Sequence, residues 1–114
     1  MTSFSIGRKA EAQAAQVIKQ RGFKLIAQNW RNRWCEIDLI ACKDGCVYFI
    51  EVKYRHNSVQ GSGFEYITPK KLRQMHFAAE FWISENNWTG ECSLGAVGVT
   101  GHDFQVTNFI TSVY

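Results

Sequence analysis

The sequence predicts an α/β fold in which a central β-sheet is flanked by helices. Strand-like runs of Ile, Val, Phe and Tyr fill both arms of residues 36–53, and a second strand–turn–strand pattern covers residues 94–109. Helical periodicity covers residues 7–21 and 68–86. Strands and helices thus share a chain of 114 residues, a length that fits one domain over residues 1–114.

Residues 36–53 form a predicted β-hairpin with Asp44-Gly45 at its turn. This dipeptide is a strong two-residue turn signal, because both central positions of such a turn favour positive φ angles. With that turn, Lys43 faces Cys46 and the pairing can be counted outward along both arms. Alternation of side chains then leaves one face apolar throughout: Ile37, Leu39, Ala41, Tyr48, Ile50 and Val52.

The opposite face of the hairpin carries a small charged constellation. The same count places Asp38 opposite Glu51, and Glu36 opposite Lys53. Directly opposed residues have Cβ atoms about 5 Å apart, and opposed like charges are destabilising. The Asp38–Glu51 pair therefore needs a cation or a shared proton.

Magnesium is a cation that meets this need, because it takes oxygen ligands and commonly binds one or two carboxylates together with substrate phosphate. Lys53 lies two residues beyond Glu51 on the same face. It would place a positive charge where a phosphate or an attacking water could sit. The alternative is a solvated sheet face with an ordinary Glu36–Lys53 cross-strand pair, since charged faces are common on antiparallel strands.

Several short motifs extend this pattern over most of the chain. They are Gly7-x3-Glu11-x3-Ala15, Gly22-Phe23, Asn29-Trp30-Arg31, Glu36-Ile37-Asp38-Leu39-Ile40-Ala41, Phe49-Ile50-Glu51-Val52-Lys53-Tyr54-Arg55 and Thr68-Pro69-Lys70-Lys71. An acidic residue on one strand followed by Glu-x-Lys on the next resembles the PD-(D/E)XK superfamily of metal-dependent nucleases. The full set, over about residues 5–100, resembles the YraN-like predicted endonuclease family, which is also similar to the Holliday-junction resolvases of that superfamily.

The resemblance implies a restriction-endonuclease-like fold, with a central mixed sheet flanked by helices. It also implies a Mg²⁺- or Mn²⁺-dependent endonuclease acting on DNA, with branched or junction DNA among the candidate substrates. Asp38, Glu51 and the backbone carbonyl of Val52 would hold the metal ion. Lys53 would position water or neutralise charge in the transition state, and Glu11 would assist as an outer ligand. Junction resolution would require a two-fold homodimer.

The first helix is predicted over residues 7–21 and ends before Gly22, while residues 1–5 are predicted to be frayed. Its stripe of small and apolar residues is Gly7, Ala10, Ala14, Ala15, Val17 and Ile18, and Glu11 lies inside it. A carboxylate on such a stripe must find a partner or lose its charge. Glu11 therefore either pairs with a nearby arginine or reaches towards the charged face of the hairpin.

Residues 23–29 are predicted to form the first strand, and residues 30–34 a basic and aromatic connection into the hairpin. Arginine interleaved with tryptophan suits phosphate contact and base stacking. The alternative is that the tryptophans cap the core and the arginines are solvated. We assign Trp30 to the core, and keep Arg31 and Arg33 as candidate nucleic-acid contacts.

The second helix is predicted over residues 68–86, with Thr68 as its N-cap and Pro69 in its first turn. Its core stripe is Leu72, Met75, His76, Ala79, Trp82 and Ile83. Three basic residues crowd its first turn, where they oppose the helix dipole: Lys70, Lys71 and Arg73. An anionic partner would offset that cost, because the amides at a helix start also attract phosphate.

Between hairpin and second helix, Arg55 is a further candidate nucleic-acid contact, and residues 57–63 are predicted to form a mobile loop beside the site. His56 is predicted to be an exposed loop histidine. His76 and His102 are too far apart in the sequence to indicate a histidine cluster.

Composition narrows the function classes. Hydrophobic residues make up 46% and charged residues 20% of the chain, which excludes a disordered protein. No apolar run is long enough to cross a membrane, and the N-terminus lacks a signal-peptide core, so we expect a cytoplasmic protein with no membrane partner. We accordingly expect its four cysteines to be reduced. A net charge of +3 permits binding of nucleic acid without requiring it, and nothing in the sequence decides between DNA and RNA.

One departure from the family pattern favours another class of function. Where the family often has an Arg-Phe-Asp run, this chain has Ser93-Leu94-Gly95. Without that aspartate, the alternative is a catalytically silent nuclease-like module that binds nucleic acid or a protein partner. Against it, the chain retains Asp38, Glu51 and Lys53 together.

Overall fold

The computed structural model describes residues 2–57, 64 and 66–113. Its elements in chain order are α1 (Ser3–Gln20), β1 (Lys24–Arg31), β2 (Glu36–Lys43), β3 (Cys46–Arg55), α2 (Pro69–Asn86), β4 (Glu91–Thr100) and β5 (Gln105–Ile110). Most of the predicted loop of residues 57–63 lies outside the described residues.

The five strands form one mixed sheet in the order β1-β2-β3-β4-β5. β3 and β4 are parallel, and the other neighbouring pairs are antiparallel. Parallel neighbours require a long crossover, and the segment containing α2 supplies it. The predicted α/β fold is confirmed, and the mixed sheet with two helices is consistent with a restriction-endonuclease-like fold.

Each face of the sheet packs against one helix. The α1 side is built on Ala10, Ala14, Ala15, Ile18, Phe23, Leu39, Ala41, Ile50, Val97 and Val99. The α2 side is built on Ile37, Ile40, Val47, Phe49, Met75, Ala78, Ala79, Trp82 and Leu94. The hairpin face that carries the charged residues is therefore also buried over most of its length, under α2. We had assigned only the opposite face to the core.

Side-chain alternation along β2 is interrupted around Asp38. Leu39 packs on the α1 side, but Ile37 packs on the α2 side with Ile40. We had assigned Ile37 and Leu39 to one face, and that assignment is wrong. Pairing between β2 and β3 ends at Leu39 and Ile50, so Ile37, near the start of β2, lies beyond the part of β2 that pairs with β3.

Helix α1 begins at Ser3, four residues earlier than predicted. Thr2 is its N-cap, and the Thr2 hydroxyl oxygen accepts a hydrogen bond from the Ser5 amide at 3.1 Å. A threonine cap satisfies an amide that would otherwise lack a partner, so the first residues are helical rather than frayed. The other end matches the prediction, with Arg21 as the C-cap before Gly22.

Strand β1 extends through Trp30 and Arg31, which we had placed in the connection. Both pair with β2, opposite Ile37 and Glu36. The connection shrinks to a turn over residues 32–35, in which the Asn32 side-chain oxygen accepts from the amides of residues 34 and 35 at 2.8 and 2.9 Å. An asparagine that closes its own turn this way shortens the link between two strands.

Helix α2 has the predicted cap. The Thr68 hydroxyl oxygen accepts from the Lys71 amide at 3.1 Å. Its buried residues are Met75, Ala78, Ala79 and Trp82. His76, predicted to be core, is exposed. The buried face of α2 runs through Ala78 and Ala79, and position 76 lies outside it. Neither α1 nor α2 has the length and apolarity that a bilayer crossing requires.

The predicted second hairpin is β4 and β5, joined through residues 101–104. Gly95, at the departure from the family pattern, is buried in β4 beside Ile50. A Cβ added there would lie 2.8 Å from the carbonyl oxygen of Ile110. The end of β5 thus occupies the space of a side chain at position 95, and this packing requires glycine.

Candidate active site

The hairpin turn has the predicted geometry. Asp44 and Gly45 have φ angles of +52° and +80°, as a two-residue hairpin turn requires. Pairing runs from Lys43 opposite Cys46 to Leu39 opposite Ile50, which confirms the counted register. Asp38 and Glu51 come one position beyond the last regular pair.

The Asp38 side chain bridges the place where β2 and β3 part. Its Oδ2 accepts a hydrogen bond from the backbone amide of Val52 at 2.8 Å. The amide and carbonyl of a strand residue point towards the same neighbouring strand, so the Val52 carbonyl also faces this gap. Asp38 and Val52, which would supply the predicted carbonyl ligand, therefore lie on either side of the gap between β2 and β3.

The pKa of Asp38 is raised from 3.8 to about 7, chiefly by burial and next by the nearby Glu51 carboxylate. The Val52 amide opposes this shift by stabilising the charged form, whereas Glu11 and Glu36 add to it. Acidic groups from α1, β2 and β3 thus act on one carboxyl. Such a group favours either a proton or a nearby cation.

Glu51 has a cationic partner within the protein. Its Oε2 lies 2.8 Å from Nζ of Lys71, in the first turn of α2. The Glu51 side chain is 19% exposed, so the pair is only partly screened by solvent. Lys71, a predicted nucleic-acid contact, thus neutralises a predicted metal ligand.

Lys53 is exposed on β3, two residues after Glu51. Its Nζ lies 6.0 Å from the centre of the Tyr66 ring. Among the described residues it forms no ion pair, so the alternative Glu36–Lys53 pair is absent from this part of the chain. An ammonium group in this position is available to an anionic substrate.

Tyr66 was not among the predicted site residues. The guanidinium of Arg55 lies 5.7 Å from its ring centre. Its hydroxyl is buried and has no hydrogen-bond partner among the described residues. Burial raises the pKa of Tyr66, and the carboxylate of Glu51 raises it further. A lone tyrosine before a helix cap carries no sequence signal, so only the packing of this segment could find it.

Glu11 lies between its two predicted alternatives. Oε1 is 3.9 Å from Nη1 of Arg8, one turn earlier on α1, which is too long for a hydrogen bond. The same oxygen is buried and lacks a hydrogen-bond partner within the described ranges. The charge of Glu11 also raises the pKa of Asp38, so Glu11 acts electrostatically on the acidic centre.

These donors suit a hard divalent cation. Asp38 and Glu51 supply carboxylate oxygens, and Val52 a carbonyl oxygen. Oxygen ligands favour Mg²⁺ or Mn²⁺ over softer metals. No group of three or more His, Cys, Asp or Glu residues that could hold a metal occurs in the described part of the chain. Magnesium tolerates such a sparse set, because it keeps several waters.

A cleft of about 560 Å³ adjoins the acidic centre. Its lining includes Trp34, Glu36, Glu51, Lys70, Lys71, Arg73 and Phe77. A second cleft of about 270 Å³ lies by the start of α1 and includes Arg8, Glu11, Arg31 and Glu36. Glu36 borders both, so the acidic residues separate two basic-edged clefts.

The remaining predicted nucleic-acid contacts lie around these clefts. Arg31 belongs to the second cleft, and Lys70 to the first. Arg33 is exposed on the turn after β1, with its guanidinium 5.3 Å from the centre of the Trp34 ring. Trp30 packs against the α2-side core as predicted, whereas Trp34 is 62% exposed.

Two predictions outside the site concern histidines and cysteines. His56 is exposed, as predicted, and its ring lies 5.1 Å from that of His102, a proximity that the sequence did not indicate. The chain brings them together because β3 and β4 run parallel and the turn after β4 meets Arg55. The four cysteines are free thiols, as expected.

Comparison with known proteins places the chain in a family. The model described as Uncharacterised protein family UPF0102 matches residues 10–104. A UPF0102 protein of Cytophaga hutchinsonii is 39% identical over 100 residues, covering 88% of each chain. One from Pseudomonas fluorescens is 32% identical over 102 residues, covering 88% of this chain and 85% of the relative. One from Neisseria meningitidis is 35% identical over 96 residues, covering 83% and 84%. The chain belongs to the UPF0102 family.

Proposed function

We propose that this protein is a Mg²⁺- or Mn²⁺-dependent endonuclease of the PD-(D/E)XK type that hydrolyses phosphodiester bonds in DNA. The observation that carries the proposal is the half-buried Asp38 carboxyl at the point where β2 and β3 part. Its pKa is raised by burial and by Glu51, as expected for a carboxyl that favours a proton or a nearby cation.

Asp38, Glu51 and the Val52 carbonyl would hold the metal ion. When bound, the ion would withdraw electron density from the scissile phosphate and make water more acidic. The Val52 amide fixes the Asp38 carboxylate at 2.8 Å. The second Asp38 oxygen would then be the one that binds the metal ion.

Lys53 would stabilise negative charge that develops on the phosphate, because its ammonium is exposed on β3 two residues after Glu51. The unsatisfied Glu11 oxygen would accept a hydrogen bond from the attacking water and so orient it. Lys70 and Arg73, on the cleft wall beside Glu51, would bind phosphates to either side of the scissile bond.

The test is cleavage of a DNA panel with Mg²⁺ or Mn²⁺, comprising linear duplex, single strand, flap and four-way junction. Asp38→Asn and Lys53→Ala should each abolish cleavage, while Asp38→Asn should bind DNA as well as wild type or better, because it removes a negative charge. Glu91→Gln, an exposed acid at the start of β4, is the matched control and should cut normally. A wild-type protein that cuts none of the panel contradicts the proposal.

The Lys71–Glu51 pair favours a second candidate function, a silent nuclease-like module that binds nucleic acid or protein without cutting. An ammonium 2.8 Å from Glu51 already neutralises one of the two carboxylates. Calorimetric titration with Mg²⁺ separates the two candidates. The endonuclease should bind Mg²⁺ and lose that binding in Asp38→Asn, whereas a silent module should give no heat in either protein.

A further inference from the structure

Three aromatic side chains form an exposed cluster beside the larger cleft. We call Trp34, Phe77 and Phe81 the aromatic platform. Trp34 is 62% and Phe77 48% exposed. Trp34 stacks on Phe81, with ring centres 5.5 Å apart and planes inclined by 17°. Phe77 meets Phe81 edge-on at 5.1 Å. The platform joins the turn after β1 to the outer side of α2.

Burial does not account for this cluster. Trp82, on the same helix, is 7% exposed and packs edge-on against Phe49 at 5.6 Å. Trp34, by contrast, is exposed, and its backbone is held in the turn because its amide donates a hydrogen bond to the Asn32 side chain at 2.8 Å. Large apolar groups held in an exposed position commonly mark an interaction site.

The surroundings of the platform are cationic. Trp34 and Phe77 line the same cleft as Lys70 and Arg73, and that cleft reaches Glu51. The guanidinium of Arg33 lies 5.3 Å from the Trp34 ring centre. Exposed rings combined with flanking cations match a ligand that has flat apolar faces and regular negative charges.

We propose that the aromatic platform binds unpaired bases of single-stranded DNA, whose phosphates follow Lys70 and Arg73 towards Glu51. Every base offers a face for stacking, so this contact needs no particular sequence. Bases within a duplex are already stacked on each other and offer only their edges. The inference rests on the proposed function for the identity of the strand as a substrate, and it narrows that substrate to DNA with unpaired bases beside the scissile bond.

The test measures binding, in EDTA so that nothing is cut, by fluorescence anisotropy of two labelled oligonucleotides of equal length. One is oligo-dT, and the other has the same phosphates but abasic sugars. Wild type should bind oligo-dT about tenfold more tightly than the abasic strand. Trp34→Ala should lose this preference and bind both strands with the weaker affinity, and Phe77→Ala should lose part of it.

Two variants serve as controls. Trp34→Phe keeps an aromatic face and should retain most of the preference for oligo-dT. Ile26→Ala removes another exposed apolar side chain, 42% accessible, on β1. Ile26 lines neither of the two clefts, and its removal should change nothing. Circular dichroism of each variant establishes that it is folded.

The inference is overturned if wild type binds both strands equally, or if folded Trp34→Ala keeps the preference. It is also overturned if sedimentation shows that Trp34→Ala dissociates a dimer or a complex with another protein without altering DNA binding. A wild type that prefers oligo-dT but cuts no DNA would overturn only the proposed endonuclease. One that cuts without any preference between strands would overturn only the platform.

Discussion

At the scale of single residues, the candidate site depends on how two carboxyl groups are satisfied. Asp38 is bonded to the Val52 amide at 2.8 Å but surrounded by acids. Glu51 is paired with Lys71 at 2.8 Å. The first group retains an electrostatic cost that its hydrogen bond does not cancel, while the second is largely compensated. A cation should therefore affect Asp38 more than Glu51.

The pKa of Asp38 leads to a prediction on stability. Its folded value of about 7 exceeds its ordinary value of 3.8, so the folded state binds a proton more readily than the unfolded chain does. The contribution of Asp38 to stability should therefore be fully present below about pH 4 and be lost as the pH rises to about 7. In EDTA, the Tm of wild type should fall relative to that of Asp38→Asn between pH 5 and pH 8. Parallel Tm curves would contradict this.

A second prediction at this scale concerns Lys71. Lys71→Ala leaves the partly buried Glu51 without its cation, and we expect a loss of about 1 kcal/mol in the free energy of unfolding. Lys70→Ala, the exposed neighbour in the same turn, should change it by less than about 0.5 kcal/mol. Urea denaturation measures both. Equal losses would show that the ion pair adds nothing.

At the scale of elements, local signals decide most boundaries, and close approaches between elements decide the rest. Thr2 and Thr68 cap the helices, and Asn32 closes the turn after β1. Gly95 is required for a different reason, because a side chain there would lie too close to the carbonyl of Ile110 on another strand. The glycine at position 95 is thus linked to the packing of β4 against the end of β5.

A matched pair of glycine variants tests this role. Gly95→Ala places a Cβ 2.8 Å from the Ile110 oxygen, so the backbone must move, at a cost of about 1–3 kcal/mol. Gly7→Ala adds a Cβ with nothing within 4 Å, inside α1. It should stabilise the protein by about 0.5–1 kcal/mol. Urea denaturation distinguishes the two, and a neutral Gly95→Ala would show that β5 yields easily.

At the scale of the whole molecule, the sheet separates α1 and α2 onto opposite faces, and charged residues of both helices act on the hairpin between them. Glu11 comes from α1 and Lys71 from α2, yet both influence residues of the hairpin. The aromatic platform and the basic cleft lie on the α2 side. Stacking and charge should therefore contribute to DNA binding as separable terms.

Salt dependence tests that separation. Each phosphate contact to a single strand adds about −0.7 to the slope of log K against log salt concentration. Arg73→Ala should reduce the size of this slope by about 0.7. Trp34→Ala should weaken binding with the slope unchanged, because a ring releases no counterions. Anisotropy titrations at several salt concentrations measure both slopes, and a changed slope for Trp34→Ala would contradict the assignment.

The sequence alone determined the hairpin and its register, the capped start of α2, the second hairpin and the α/β class. These features depend on turn residues, caps and periodicity, which act between near neighbours in the chain. It also singled out Asp38, Glu51 and Lys53, because strand pairing follows directly from the Asp44-Gly45 turn.

Only the tertiary structure decided that Lys71 pairs with Glu51, that Tyr66 lies beside the site, and that Trp34 and Phe77 form an exposed platform with Phe81. It also corrected the face of Ile37 and brought His56 to His102. Each of these contacts joins residues from different elements. Their distances depend on strand order, on where β2 and β3 part, and on how α2 lies across the sheet, and none of these has a local signature in the chain.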